Sequence, residues 1–275
     1  MKKIIILIVF SIGYCGLSQT KTTKDSDFLI SYQLDYKKFI TSEANLSANT
    51  LLIVTSQGSL FTFEAMMNLS KIQQEREITI ADALANRPPF YFLIKSDSET
   101  TVHYEGIGSD TYNFKEKLNR VWELINQDTL ISGYSCKKAI LNYAGRKWSG
   151  WYAPEIPIAV GPYKFHGLPG LIMNIKDSEG VFNFTVSEIK KGNLVTDSRI
   201  ENYFVKDGAR PFETIDINEF YKIRGKFYKM NVNERLQYMN RDELAKPTYL
   251  ITDLNGEKVR VNTQPKTRNF IELVE

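Results

Sequence analysis

This 275-residue chain has only two histidines and two cysteines, so nucleophilic or acid–base chemistry has few places to form. Cys136 with His166 would make a thiolate–imidazole pair. Glu155 with His166 would make an acid–base pair across a single loop. Asp177 and Glu179 add carboxylates, although Asp177-Ser178-Glu179-Gly180 reads first as a turn. Cys136 lies among apolar neighbours at a predicted strand start, where a free thiol is usually buried and structural. Glu155 sits in a proline-bounded loop, where a lone carboxylate ordinarily caps backbone groups or stays solvated.

Motifs with a built-in mechanism are missing. The chain has no G-x-S-x-G nucleophile elbow, no P-loop, no H-E-x-x-H and no C-x-x-C. Gly106-Ile107-Gly108 lacks the third glycine of a dinucleotide fingerprint. His103 and His166 are too few for a histidine-rich metal site, and no calcium-loop spacing of aspartates occurs. No metal and no cofactor is implied. The expectation is a protein that binds rather than catalyses, with an envelope hydrolase using Glu155 and His166 as the alternative. A purely structural accessory protein is a third reading.

Binding chemistry is better represented. Trp148, Trp151, Tyr152, Tyr163 and Phe165 cluster in sequence, with Arg146 and Lys164 beside them. In a strand, Trp148 and Tyr152 share one face and Trp151 points to the other. The aromatics either pack a sheet and pin a loop, or form a wall for an apolar ligand or partner with Arg146, Glu155 and Lys164 around it.

The elements that must position them read mostly as short strands. Phe28 to Tyr36 alternates apolar and polar residues, and Leu51 to Thr55 is a second run. Phe90 to Lys95 and Thr101 to Gly106 flank Ser96-Asp97-Ser98-Glu99 at hairpin spacing. Tyr112 to Lys115 and Val121 to Ile125 continue a meander. Lys138 to Tyr143 and Lys147 to Tyr152 surround Ala144-Gly145-Arg146, a tight turn. Leu171, Met173 and Ile175 share a face, as do Phe182, Phe184 and Val186. Helices are predicted over Phe61 to Glu75, Ile80 to Asn86, and after Asp216, whose spacing to Glu219 resembles a capping box. Ile217, Phe220, Ile223 and Phe227 give that last helix its apolar stripe. Asn193 to Arg210 reads as a long connection. The predicted fold is α+β and β-dominated, a curved antiparallel sheet or meander with a few helices covering one face.

Glycine and proline alternate with large apolar residues from Gly161 to Ile172. Leu168-Pro169-Gly170-Leu171 suits a type II turn, and Gly161, Pro162 and Gly167 add further bends. This stretch, with Tyr134, Cys136-Lys137-Lys138-Ala139, Gly145-Arg146 and Trp151-Tyr152-Ala153-Pro154-Glu155-Ile156-Pro157, resembles the GLPGLI family, named for the hexapeptide at Gly167 to Ile172. The resemblance is specific over roughly residues 133–184. It implies an exported protein of the Gram-negative cell envelope and names no activity, ligand or partner.

Export also follows from the start of the chain. Lys2 and Lys3 precede the apolar run Ile4 to Phe10, and polar residues follow Ser18. The run is too short to span a bilayer, so residues 1–19 read as a signal peptide and 20–275 as a single domain. Bulky Tyr14 before Cys15 fits ordinary cleavage better than lipidation at that cysteine. Cys136 would then be the only cysteine, leaving no internal disulfide. Removing Lys2 and Lys3 from 35 basic residues leaves 33 against 32 acidic ones. Such neutrality argues against nucleic acid or an anionic membrane surface. The expected location is the periplasm, either free or in association with the outer membrane. The expected partner is an envelope or outer-membrane protein, or a hydrophobic small molecule.

Overall fold

Alternating strands dominate the computed structural model, which describes residues 28–56, 58–76, 92–97, 99–108, 110–117, 119–192, 212–239 and 270–271. The predicted signal peptide, the predicted helix at Ile80 to Asn86 and the connection at Asn193 to Arg210 lie outside the described residues.

The first meander comprises β1 (Phe28–Tyr36), β2 (Leu46–Thr55), β3 (Gly58–Phe63), β4 (Phe92–Ser96), β5 (Thr100–Ile107) and β6 (Asp110–Lys117). The second comprises β7 (Glu123–Ile131), β8 (Tyr134–Tyr143), β9 (Arg146–Ala153), β10 (Leu171–Asp177) and β11 (Phe182–Lys191). The meanders join where β1 pairs antiparallel with β11, placing Tyr32 opposite Val186 and Leu34 opposite Phe184. A two-residue β12 (Glu213–Thr214) pairs parallel to β6. The result is one 12-stranded mixed sheet in the order β12-β6-β5-β4-β3-β2-β1-β11-β10-β9-β8-β7. The fold is α+β and β-dominated, as the alternation predicts.

Chain connectivity forces this sheet to curl. β6 and β7 stand far apart in strand order, with nine strands between them. In a flat sheet that is about 48 Å at ~4.8 Å per step. The five residues 118–122 join them, and so short a segment reaches about 20 Å at most. The sheet therefore bends back on itself, and β6 of the first meander meets β8 of the second across a seam, where Tyr143 Oη reaches Glu116.

The concave side is apolar. Ile30, Tyr32 and Leu34 of β1, Phe61 and Phe63 of β3, Phe92 and Ile94 of β4, Trp148 of β9, and Phe182 and Phe184 of β11 are all buried. Two buried hydroxyls are paired to backbone: Tyr32 Oη on this face donates to Ile172 O at 2.8 Å, and Thr62 Oγ1 on the other donates to Phe92 O at 3.0 Å. On the opposite face of β10 and β11, Asn174 Nδ2 donates to Asn183 Oδ1 and Thr185 Oγ1, which explains the wetter side of the alternation.

Three helices are described: α1 (Glu64–Glu75), α2 (Ile217–Lys229) and α3 (Val232–Met239). The helix predicted from Phe61 begins at Glu64 instead. Phe61 and Phe63 belong to β3, where alternation buries both rings against Phe92. α2 starts at Asp216, whose side chain accepts from Asn218 N. Its Phe220 packs on Phe114 of β6 at a ring separation of 4.6 Å and on His103 of β5 at 6.2 Å, extending the core over that half of the sheet. No helix among the described residues is long and apolar enough to cross a membrane.

Candidate functional site

The loop from Pro154 to Gly170 joins β9 to β10 and turns into the concave face. Pro154, Pro157, Pro162 and Pro169 limit its conformations, and its backbone bonds make a small compact unit. Gly167 N donates to Ala159 O at 2.9 Å, and Phe165 N donates to Pro162 O at 3.1 Å. Ile172 N donates to Val160 O at 3.0 Å, and Leu171 N to Ile156 O at 3.0 Å. That last bond corrects the predicted type II turn. Gly170 N, not Leu171 N, donates to Leu168 O, at 2.8 Å, so the bend around Pro169 is a tighter three-residue turn. Gly170 has φ of 150°, and a Cβ there would collide with Ala153 O. Gly161 is required by contact: a Cβ would stand 2.7 Å from Ile172 Cδ1.

Tyr163, at the loop's tip, has φ of 56°, an unusual backbone state for an aromatic residue. The tip carries its side chains into the core. Tyr163 meets Phe92 edge-on at 5.6 Å and His103 at 6.1 Å. Phe165 lies 4.7 Å from Trp148, whose Nε1 donates to Tyr143 O. Leu168 and Ile156 are buried beside them. Trp148, Tyr152, Tyr163 and Phe165 thus sit together as filling of the curled sheet. Trp151 lies on the other face, with Lys138 Nζ 5.6 Å from its ring centroid.

Beside Tyr163 the chemistry becomes polar. Lys164 is 1 % exposed, and its Nζ donates to Glu116 Oε2 at 2.9 Å while lying 5.2 Å from the Phe114 ring centroid. Glu116 Oε1 also accepts from Arg120 Nη2 at 2.9 Å and from Tyr143 Oη at 3.1 Å. The Arg120 guanidinium stacks 3.8 Å from the Tyr143 ring centroid. Trp122 Nε1 donates to His166 O at 2.8 Å, and its ring fills the space a side chain at Gly150 would need. This cluster lies on the seam, tying β6 to β8 and to the loop. Burial, then the Arg120 charge, pushes the His166 imidazole down to about 4, against a smaller upward pull from Glu116.

The remaining expected site residues are placed separately. Glu155 is exposed, and its Oε1 accepts from Ser135 N at 2.9 Å. Glu155 and His166 therefore serve different partners. Cys136 is fully buried, and burial raises its thiol pKa, so it stays protonated near neutrality. Arg146 is buried in an ion pair with Asp177 at 2.7 Å, reaches Glu179 at 2.9 Å, and donates from Nε and Nη2 to Phe270 O. Asp177 Oδ1 accepts from Val181 N and Phe182 N, closing the β10–β11 turn. These groups hold strands together. Gly161, Pro162, Gly167, Leu168, Pro169 and Gly170 shape the loop.

Sequence reasoning missed Glu116, Arg120, Trp122 and Tyr143. The available signal was a carboxylate and a guanidinium four residues apart beside a tryptophan, in a stretch with no helical pattern. Among the described residues no group of three or more acidic, histidine or cysteine side chains could hold a metal ion. A shallow groove of about 530 Å³ lies elsewhere, lined by Lys226, Lys229, Met230 and Tyr238 with Glu234 and Gln237.

Residues 145–174, from the β8–β9 turn through the loop into β10, match a family described as "Protein of unknown function (Porph_ging)". No curated protein matches the chain. Among solved structures, PNGF-II is similar with a TM-score of 0.51 at 13% identity, over 74% of this chain and 34% of that one. This chain thus spans about a third of PNGF-II's length, and the likeness is one of fold. An uncharacterized conserved protein from Thermus thermophilus (TM-score 0.37, 9% identity, 70% of this chain and 91% of that one) is a fainter match. So is the LolA superfamily protein NE2245 from Nitrosomonas europaea (TM-score 0.29, 11% identity, 67% of this chain and 92% of that one). Neither bears on what this chain does. The segment matched to a family of unknown function is the one that fills the curled sheet.

Proposed function

We propose that this protein is a non-enzymatic binding or assembly factor of the cell envelope that engages a partner protein along the outer edge of β7. The alternative occupant, an apolar ligand held inside the sheet, loses support because Tyr163, Phe165 and Leu168 of the loop occupy the concave face. The aromatic residues expected to form a ligand wall are taken up by that packing.

The observation that carries the reading is the placement of exposed apolar side chains. Ile40, Leu46, Val121, Leu124 and Leu130 are the large exposed hydrophobics among the described residues, and three of them fall at 121–130. Val121 is 80% exposed, Leu124 60% and Leu130 75%. They lie on or just before β7, whose outer edge has no strand beside it among the described residues. An unpaired edge offers main-chain hydrogen bonds that give an added strand its affinity, and apolar side chains beside that edge give it selectivity. The bulge between Ile125 and Asp128 divides that edge into two short pairing segments.

Photo-crosslinking in the native envelope tests this. A photoreactive residue at Leu124 or Leu130 should give one discrete protein adduct, while the same residue at exposed Lys176 on β10 should not. Equal labelling at all three positions, or recovery of a stoichiometric lipid from the purified protein, would overturn it.

A further inference from the structure

We infer that the partner on the β7 edge is a second copy of this chain, its own β7 laid antiparallel across a two-fold axis at Gln127. The inference rests on the reading of β7 as a docking edge and names the occupant of that edge.

Strand geometry leaves few ways for β7 to pair with itself. Backbone N–H and C=O groups alternate in direction along a strand, and residues opposed in an antiparallel pair either both face each other or both face away. Two identical strands therefore meet about a residue, so that every position opposes one of its own parity. The register with β8 keeps that parity from end to end. It passes over Asn126 and Gln127 together, leaving Leu124 opposite Ala139 and Leu130 opposite Ser135, on the same face.

Side chains choose among the registers. Pairing about Asp128 sets that carboxylate against its own copy, and like charges directly opposite are unfavourable. Pairing about Asn126 sets Leu124 against Asp128. Pairing about Gln127 overlaps all 9 residues of the strand and sets Leu124 of each copy against Leu130 of the other. Ile125 then faces Thr129, Asn126 faces Asp128, and Glu123 faces Ile131, so no acidic residue meets another. The leucines, 60% and 75% exposed in the single chain, cover each other on both sides of the axis. This reciprocity is what a two-fold interface requires. The residues that β8 leaves out, Asn126 and Gln127, fall at the axis, so the bulge separates two equivalent contacts. The opposite end of the sheet is β12, only 2 residues long, so the two β7 edges consume each other and growth stops at the dimer.

Sedimentation velocity of the full chain over a range of concentrations should show a reversible monomer–dimer equilibrium. Leu124→Asp should raise the dissociation constant by roughly tenfold or more, and it should leave the melting temperature unchanged because the side chain is exposed. Register is read with cysteines. Leu124→Cys and Leu130→Cys, oxidised separately, should form no disulfide-linked dimer, and their mixture should form one. A monomer at every concentration, or a disulfide-linked dimer from either variant alone to the same extent as from the mixture, would overturn the inference. A monomeric chain whose photo-adduct at Leu124 contains a different protein overturns the second copy and leaves the docking edge standing. A monomeric chain labelled equally at Leu124, Leu130 and Lys176 overturns both.

Discussion

Tyr143 Oη donates to Glu116 Oε1 at 3.1 Å, although eight strands separate β8 from β6 in the sheet. This bond records the curvature that residues 118–122 impose. It also makes Glu116 a hub, since Lys164 of the loop and Arg120 of the connection meet on the same carboxylate. Glu116→Gln removes the charge that both cations are paired to. Breaking a buried pair on one side costs about 3–5 kcal/mol, because the other charge is left uncompensated. Urea unfolding should show that loss for Glu116→Gln and about 1 kcal/mol for Tyr143→Phe, which deletes one hydrogen bond. Equal, small effects would mean the hub does not support the fold.

The two tryptophans of β9 offer a test of which face is the core. Trp148 is fully buried against Phe165, and Trp151 is only partly buried on the opposite face. Trp148→Ala should cost about 3–5 kcal/mol, the range for emptying a large aromatic site in a core. Trp151→Ala should cost well under half of that. Reversed magnitudes would place the core on the wrong side of the sheet.

That comparison also shows what was legible in the sequence. The parity of Trp148, Tyr152 and Trp151, and of Phe182, Phe184 and Val186, follows from the two-residue repeat of a strand, so faces and hairpins are readable locally. β2 begins before its predicted start and β7 runs past its predicted end, because stretches such as Leu46 to Thr50 and Asp128 to Ile131 join the ladder without the apolar alternation that marks a strand. Closure of the sheet was not legible. It depends on the order β1 beside β11, a pairing across 146 or more residues that no local pattern encodes. The seam was missed for the same reason: Glu116, Tyr143, Lys164 and His166 come from three segments that meet only when the sheet curls.

Gly170 and Gly161 should be intolerant of even a methyl group, for different reasons. Gly170 combines φ of 150° with a clash against Ala153 O, which is backbone and cannot yield without moving the strand. Gly161 has an ordinary φ but faces the buried Ile172 side chain. Gly170→Ala should therefore destabilise by more than the ~1 kcal/mol usual for a positive-φ glycine. Ile172→Val should partly rescue Gly161→Ala and leave Gly170→Ala unchanged. Thermal melts of the two pairs of variants measure this, and rescue of both would show that side-chain crowding explains each site.

Cys136 should behave as a silent thiol. Burial raises its pKa, with the Glu155 charge adding to the rise, so the thiolate fraction at pH 7 falls below that of a free cysteine. Alkylation of the folded protein should be slow and should accelerate sharply across the denaturant midpoint. Rapid labelling in the native state would make the thiol a reactive group after all.

His166 predicts a pH dependence whose sign is fixed by its depressed pKa. Its imidazole titrates at about 4 in the folded protein, against about 6.5 for an unperturbed histidine. Between those values the unfolded chain binds a proton that the folded one refuses, so stability falls as pH drops through that window and levels off below about 4. Above about pH 6.5 the residue contributes no slope. His166→Asn keeps a polar side chain but cannot titrate, so its melting temperature should fall less steeply than wild type between about pH 6.5 and 4. NMR titration of the ring, in a chain with only His103 as a second histidine, gives the pKa directly. A value near the unperturbed ~6.5 would mean that His166 is open to water and that the Arg120 charge does not reach it.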